Sequence, residues 1–258
     1  MASATNFRIW WVRAYRCAHD LLHRPCLFAR AHQKFGIAGF ALGAATLVKF
    51  IPVVLLPAIY RRWDKKMPIA FMTTIVVCYL PYVLGAGAGV LGFLPQYAKE
   101  EGLQNGARYY ILVLIDYILG WCGVVHELPP AIFTSIALTG LGAIGIWSFY
   151  RQPPLGTENG ETQDQWISSA FVLALTFSAL LSPYYPWYYS WIALFLCFVP
   201  NSAALALTLI SWPIYRSLIE QSAEDLFRYQ SRIFLPFFAL LVLMLIMRIR
   251  GSRTATKS

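Results

Sequence analysis

Lys49 is the residue whose position most strongly suggests chemistry. It lies within an apolar stretch, Gly36–Tyr60, which is long enough to cross a bilayer because about 20 apolar residues span roughly 30 Å of hydrocarbon. An ammonium at such depth costs about 2.5 to 3.5 kcal/mol and usually meets an anionic partner or a wet cavity. Pro52 and Pro57 follow, so we expect the helix to be bent or unwound near the charge. A buried lipid phosphate or ion pair is one interpretation, and a lysine reaching toward the interface is the other.

A second polar patch lies in Leu94–Arg108, LPQYAKEEGLQNGAR. Its functional interpretation is an external loop that faces substrate, in which Arg108 or Lys99 meets phosphate. Glu100 and Glu101 are adjacent, so on a helix they point about 100° apart and do not both face one substrate. The alternative is a solvated surface turn.

The segment Ser182–Trp191, SPYYPWYYSW, is rich in aromatic rings and carries two prolines. Tyr and Trp collect at the headgroup level of membranes, so an interfacial aromatic belt is one interpretation. In the other, the prolines hold the backbone extended and the rings face an external cavity in which a sugar stacks on them.

Asp116 lies within the apolar segment Tyr109–Val125. If this segment crosses the membrane, the carboxylate is buried and is either functional or paired with Lys49. If the segment is an interfacial helix, Asp116 points to water.

Composition sets the class of protein. The chain has 258 residues, of which 58% are hydrophobic and 13% charged, and a mean hydropathy of +0.55. These values predict an all-α polytopic membrane protein of about six to eight transmembrane helices. The net charge of +9 suits anionic headgroups and argues against nucleic acid as a partner. The five cysteines form neither a metal spacing nor a disulfide framework, and we expect no cofactor or metal.

Apolar runs locate the predicted spans, and the positive-inside rule orients them. Short loops rich in lysine and arginine are cytoplasmic, which places the cluster after the first span and the C-terminal cluster on the same side. The spans are Gly36–Tyr60, Pro68–Phe93, Ala131–Tyr150, Trp166–Leu181, Tyr188–Val199, Ala203–Ile214 and Ile233–Met247.

Six crossings after the first span satisfy the rule if Tyr109–Val125 stays outside and a short hairpin forms at Pro200-Asn201. This arrangement places Leu94–Pro130, Ser182–Trp187 and Tyr215–Arg232 on the outer face. The alternative takes Tyr109–Val125 as a crossing and leaves the helix unbroken at Pro200, which puts Pro183–Trp187 in the cytoplasm.

The first 35 residues do not fit this arrangement. They carry six arginines and lysines before the first span, so both flanks of Gly36–Tyr60 are positive. We therefore expect a basic N-terminal segment over residues 1–35, a multi-span domain over 36–250 and a cytoplasmic tail over 251–258. We also expect that helices preceding this segment are missing or that its start is abnormal.

Three segments in order resemble the polytopic GT-C glycosyltransferases, in particular the bacterial family 87 mannosyltransferases that use polyprenyl-phosphate mannose. They are GIAGFALGAATLVKFIPVVLLPAIYRRW, LPQYAKEEGLQNGARYYIL and LSPYYPWYYSWIALF. The resemblance covers roughly Gly36 to Arg250. It implies a multi-pass enzyme of the bacterial inner, or plasma, membrane that moves a hexose to a lipid or glycan acceptor on the outer face.

The resemblance also implies roles for particular residues. Lys49 and Arg108 would bind the donor phosphate. The sugar or acceptor would be bound by Tyr97, Asn105, Tyr184, Tyr185, Trp187 and Tyr188. An inverting transfer needs a carboxylate to deprotonate the acceptor hydroxyl, and Asp116 and Glu100 are the candidates.

The departures from the family concern the N-terminal end. GT-C enzymes typically carry the catalytic aspartate in a first external loop near the N-terminus, and this chain has no such loop. Relatives often carry a His-x-Asp element on the helix before the lysine, where this chain has His19-Asp20 in basic surroundings. The expectation is a C-terminal part of a longer enzyme, inactive alone. A transporter or flippase for an anionic lipid or small anion is the rival hypothesis, because a charge beside a broken helix also fits it.

Overall fold

The computed structural model describes residues 25–87, 89, 92, 95, 109–123, 128–152, 163–183, 185–211 and 223–255. Within these ranges the chain is helical and contains no strand, so the all-α prediction is confirmed. The chain divides into two compact units. Unit 1 comprises residues 1–97 and 139–174, and unit 2 comprises residues 98–138 and 175–258.

The helices are numbered here in chain order. Helix α1 covers residues 25–31, and a 3-10 helix at Ile51–Leu55 separates α2 from α3. The others are α2 (Phe35–Val48), α3 (Leu56–Ile59), α4 (Lys66–Ala86), α5 (Tyr110–Trp121), α6 (Pro130–Arg151), α7 (Gln163–Leu181), α8 (Ser190–Leu196), α9 (Ser202–Ile210) and α10 (Ala223–Ala255).

Three of these helices are long and apolar enough to cross a membrane. They are α4, α6 and the Leu226–Met247 part of α10. Helix α7 is shorter in its apolar part, and α2 and α5 have 14 and 12 residues. At 1.5 Å per residue these two are about 21 and 18 Å long, less than the roughly 30 Å of a hydrocarbon core. The length and composition of the three long helices indicate a helical membrane protein.

In unit 1, the stretch predicted as one span turns back on itself. Helix α2 ends at Val48, and the chain then runs through the 3-10 helix and α3 to Ile59. The Arg30 Nε donates a hydrogen bond to the Ile59 carbonyl at 2.7 Å, so Ile59 lies beside the residues that precede α2. The prediction of one crossing over Gly36–Tyr60 is therefore wrong, because both ends of the stretch lie at the same end of unit 1.

Two further contacts agree with this return. The Cys26 thiol donates to the Ala38 carbonyl at 3.4 Å, which packs α1 against the start of α2. A Cβ built on Gly39 would overlap the Met67 carbonyl oxygen, so α4 begins beside the same part of α2. Hydropathy reports the length of an apolar stretch and not whether the chain reverses within it. We call the whole stretch Phe35–Ile59 the α2–α3 hairpin.

The return brings two positively charged segments together. The segment before α2 and the segment between α3 and α4 both lie at one end of unit 1, which we call the basic end. Its residues are Arg30, Lys34, Arg61, Arg62, Lys65 and Lys66. The two positive flanks that a single crossing would separate thus lie together.

Glycines allow α2 and α4 to approach closely. A Cβ on Gly43 would lie 3.0 Å from the Phe71 carbonyl oxygen and from the Thr74 Cβ, and at Gly39 it would lie 3.0 Å from the Met67 carbonyl carbon. Both glycines are buried. Gly39 and Gly43 are four residues apart and therefore on one helix face, an arrangement common where membrane helices pack backbone against backbone.

The second half of α6 and the first half of α7 complete unit 1. The Tyr60 and Phe149 rings stack at 5.7 Å with planes 2° apart, and the Arg30 guanidinium lies 5.3 Å from the Trp166 ring centre. These contacts bring the end of α6 and the start of α7 to the basic end. Burial there raises the pKa of the Cys26 thiol to about 12, although the nearby Arg30 charge opposes the shift.

Unit 2 is built on aromatic packing between α5 and α10. The Tyr110 ring stacks on Phe234 at 5.0 Å and on Phe227 at 5.8 Å. Phe237 and Phe234 are fully buried. Each such ring pair contributes about 0.5 to 1.5 kcal/mol beyond the area it buries, so this cluster fixes the short helix α5 against α10.

The predicted helix break at Pro200-Asn201 is confirmed, and the two crossings that it would join stay predictions. Helix α8 ends at Leu196, and the Asn201 side chain caps α9 by accepting the Ala204 N–H at 2.9 Å. With 7 and 9 residues, α8 and α9 are about 10 and 14 Å long. Each is too short to cross a membrane alone.

Residues 223–232 form the first three turns of α10, which extend the helix beyond the apolar run Ile233–Met247. The placement of Tyr215–Arg232 on the outer face stays a prediction. Of the two interpretations of the aromatic segment, the one in which the prolines hold the backbone extended is wrong at Pro186–Tyr189, which forms a 3-10 helix. Proline at the first helical position is compatible with such a turn.

Candidate functional site

Lys49 stands on extended backbone between two helices. Its φ and ψ are −151° and 137°, and its N–H donates to the Ala45 carbonyl at 3.0 Å. Pro52 lies in the first turn of the following 3-10 helix and has no N–H with which to continue α2. The predicted break at the charge is therefore confirmed.

The break is also the tip of the α2–α3 hairpin. Because α2 is about 21 Å long, Lys49 lies roughly 20 Å along the helix from the basic end. If the basic end is at one membrane surface, the tip is about two thirds of the way through a 30 Å core. Non-helical backbone at that depth is tolerated only where protein buries it or where it lines a wet cavity.

The surroundings of Lys49 suit a cation. The lysine is half-buried and follows the C-terminus of α2, where the helix dipole favours positive charge. One turn earlier, the Thr46 hydroxyl donates to the Leu42 carbonyl at 2.8 Å. This part of the structure presents one ammonium and the carbonyl end of a helix, so an anion there would be recognised by the side chain and not by the backbone.

The aromatic segment lies in unit 2 and is partly buried. The Tyr185 and Tyr188 rings pack at 6.1 Å with planes 31° apart, and only 6% of Tyr188 is exposed. Tyr189 is buried, and its hydroxyl donates to the Pro183 carbonyl at 3.1 Å. Of these two rings, the half-buried Tyr185 is therefore the more accessible to a ligand.

The start of this segment is set by Ser182. Its φ is +42°, a left-handed conformation that commonly ends a helix, and its hydroxyl donates back to the Ala179 carbonyl at 3.3 Å. Trp191 packs edge to face on Phe177 at 5.7 Å. The bend at Ser182 thus separates α7 from the 3-10 helix and fixes where the aromatic rings begin.

Asp116 has a defined hydrogen bond. Its Oδ1 accepts the Leu128 N–H at 2.9 Å, which joins α5 to the residues that precede α6. The side chain is half-buried. Neither predicted environment describes it fully, because the carboxylate binds backbone within unit 2 instead of simply pointing to water. The pairing with Lys49 stays a prediction, since Lys49 belongs to unit 1.

Several candidate residues lie outside the described part of the chain. They are Tyr97, Glu100, Asn105, Arg108 and Tyr184, together with the side chain of Trp187. Their roles remain predictions from the sequence.

Two features of the structure were not predicted. Arg30 is 2% exposed and holds the returning arm of the hairpin through Ile59, although a basic N-terminal segment is usually solvated. Gly39 and Gly43 fix the approach of α4. A small-xxx-small spacing in an apolar helix is visible in the sequence and could have indicated this packing.

Comparisons with models of known protein families, with characterised proteins and with solved structures gave no match. The helices themselves therefore indicate the class of protein: within the described residues the chain is helical, and three helices there are long and apolar enough to cross a membrane.

Proposed function

We propose that the chain is a multi-pass membrane glycosyltransferase that binds a polyprenyl-phosphate sugar through Lys49. It would move a hexose, mannose in the first instance, to a lipid or glycan acceptor on the outer face of the plasma membrane. The observation that carries this proposal is the half-buried ammonium on extended backbone at the tip of the α2–α3 hairpin. The isoprenoid tail of such a donor lies in the hydrocarbon core and its phosphate at the headgroup level, toward which a lysine side chain can extend.

The chemistry assigns each group one task. The acceptor hydroxyl oxygen attacks the anomeric carbon as the bond from that carbon to the phosphate oxygen breaks. Polyprenyl phosphate leaves with the electron pair, and Lys49 stabilises its developing charge. A carboxylate takes the hydroxyl proton. Asp116 and Glu100 are the candidates from the sequence, and Asp116 Oδ1 accepts the Leu128 N–H.

The basic end supports the orientation of the proposal. If the positive-inside rule applies to it, the hairpin enters from the cytoplasmic side and its tip approaches the outer leaflet. Lys49 would then lie about 10 Å from the outer boundary of the core. A lysine side chain can extend toward a headgroup over part of that distance.

Transfer of radiolabelled mannose from polyprenyl-phosphate mannose tests the proposal in proteoliposomes that contain the chain and a mannoside acceptor. Lys49→Met should lower donor use about tenfold or more, since a hydrogen bond to a charged group contributes about 1.5 to 3 kcal/mol. Lys34→Met is the matched control, because Lys34 is exposed on the same unit. Transfer by Lys49→Met at the native rate would contradict the role of Lys49.

The broken helix itself favours a second candidate, a transporter or flippase for an anionic lipid or small anion. Liposomes that contain donor but no acceptor separate the two functions. Movement of the intact lipid between leaflets that depends on Lys49, without sugar transfer when acceptor is added, would replace the enzyme proposal by the transporter.

A further inference from the structure

A groove of about 530 Å³ runs along unit 1 between the first half of α2 and the first two turns of α4. Its lining includes Gly36 and Phe40 of α2, Lys65 before α4, and Lys66, Ile69 and Thr73 of α4. Gly36 leaves its side open, because a Cβ there would meet nothing within 4 Å. The groove is therefore a shaped feature of the helix pair, distinct from the hairpin tip.

The lining is charged at one end and largely apolar along its length. Lys65 and Lys66 are exposed at the basic end, where α4 begins. Phe40 and Ile69 form the walls and are 58% and 63% exposed. From Lys66 to Thr73 the helix rises about 10 Å, which is enough for the first part of an acyl chain.

Asp64 is the acidic residue nearest in sequence to these lysines, and it binds backbone N–H groups and does not line the groove. Asp64 is 2% exposed, and its carboxylate oxygens accept the N–H groups of Lys66 at 3.2 Å and Met67 at 2.8 Å. This carboxylate caps the start of α4. The groove thus combines two positive charges at one end with an apolar wall. Part of that wall belongs to α4, which is long and apolar enough to cross a membrane.

We propose that this groove binds an anionic phospholipid of the surrounding bilayer, with its phosphate on Lys65 and Lys66 and an acyl chain along Phe40 and Ile69. A soluble anion would not contact the apolar walls, and a neutral lipid would not be attracted by the two lysine charges. The site anchors the basic end to an anionic leaflet, where each lysine near the surface strengthens binding about fivefold. It does not depend on the proposed transferase activity.

Native mass spectrometry of delipidated protein in detergent tests the proposal by titration with phosphatidylglycerol or phosphatidylcholine. The first bound phosphatidylglycerol should bind at least tenfold more tightly than phosphatidylcholine. The double variant Lys65→Met/Lys66→Met should reduce this preference to threefold or less, and Lys34→Met should keep it.

The position of the site is tested by filling the groove. Gly36→Leu should abolish the tight first lipid, whereas Gly142→Leu, at another open glycine outside the groove, should not. Thermal unfolding followed by circular dichroism checks each variant. If the double lysine variant does not fold, Lys66→Gln together with Gly36→Leu decides.

Three results would overturn the proposal: equal affinity for the two phospholipids, unchanged preference in the lysine variants, or an unchanged first lipid in Gly36→Leu. Displacement of the bound phosphatidylglycerol by polyprenyl phosphate at equal concentration would also overturn it, because the groove would then be a donor site. Loss of mannosyl transfer in Lys49→Met leaves these readings unaffected, so failure of one proposal is distinguishable from failure of the other.

Discussion

The close approach of α2 and α4 makes Gly39→Ala the sharpest test of the unit 1 fold. An added Cβ at Gly39 would overlap the Met67 carbonyl oxygen, which belongs to the backbone of α4 and has no rotamer to change. The two helices would have to separate by about 1 Å, and such overpacking typically costs about 1 to 3 kcal/mol. Alanine stabilises a helix by about 0.5 to 1 kcal/mol relative to glycine, which offsets part of this cost.

The net expectation is a loss of about 1 to 2 kcal/mol in the free energy of unfolding. Gly36→Ala on the same helix is the matched control, because its Cβ would meet nothing within 4 Å. It should be neutral or stabilising by up to about 1 kcal/mol. Gly43→Ala should fall between them, since part of what its Cβ would meet, at 3.0 Å, is the Thr74 side chain.

The assay is unfolding of purified protein in mixed micelles with increasing denaturing detergent, followed by tryptophan fluorescence. The order of stability should be Gly36→Ala, then Gly43→Ala, then Gly39→Ala. If Gly39→Ala unfolds at the same detergent fraction as Gly36→Ala, the contact between α2 and Met67 does not exist. The reversal of the chain at Lys49 would then lose one of its three supporting contacts.

Three further predictions concern single side chains. Asp116→Ala should destabilise by about 1 to 2 kcal/mol by leaving the Leu128 N–H unbonded, whereas Asp116→Asn should keep the fold and lose mannosyl transfer if the carboxylate is the base. Arg30→Lys should lower the unfolding midpoint while Lys34→Met should not, because lysine lacks the Nε that reaches across the hairpin. A variant with Cys26 as its single cysteine should react with maleimide at pH 8 much more slowly folded than unfolded, and its stability should fall as pH rises from about 9 toward 12.

The measurements for these predictions can each contradict them. Unfolding midpoints equal for Asp116→Ala and native protein would remove the structural role of that carboxylate, and activity in Asp116→Asn would remove the catalytic one. Equal maleimide rates for folded and unfolded chains would show that Cys26 is not buried. The sign of its pH dependence follows because burial raises the pKa of the folded thiol from 9.0 to about 12. Between these values the unfolded thiol ionises while the folded thiol stays protonated, so stability falls as the pH rises.

Hydropathy predicted where the long helices lie, because a run of apolar residues is a local property of the sequence. Pro68–Phe93 and Ala131–Tyr150 correspond to α4 and α6, and the break at Lys49 follows from the prolines that come soon after it. The reversal at Lys49 was not predictable in this way, because it depends on contacts between residues far apart in the chain, such as Arg30 with Ile59.

The candidate site was likewise predictable in part. The sequence identified Lys49 and the aromatic segment by residue type, and the backbone at Lys49 agrees with the expectation. It did not indicate that Tyr188 would be 6% exposed or that Asp116 would bond to Leu128, because burial is set by tertiary packing. The groove beside Lys65 could not be predicted from the sequence either, because its two walls come from helices whose register is set by Gly39.

The hairpin also places the basic residues at two separate positions along α2. Lys49 and the lysine pair at the groove lie near opposite ends of α2, about 20 Å apart along its axis. One phosphate cannot contact both, because about 20 Å is more than twice the Debye length of about 8 Å at physiological salt. If both proposals hold, the tip and the basic end would therefore bind two different anions. In the two proposals together, a bilayer lipid at the basic end would fix the orientation of the hairpin, and the donor phosphate would bind at the tip.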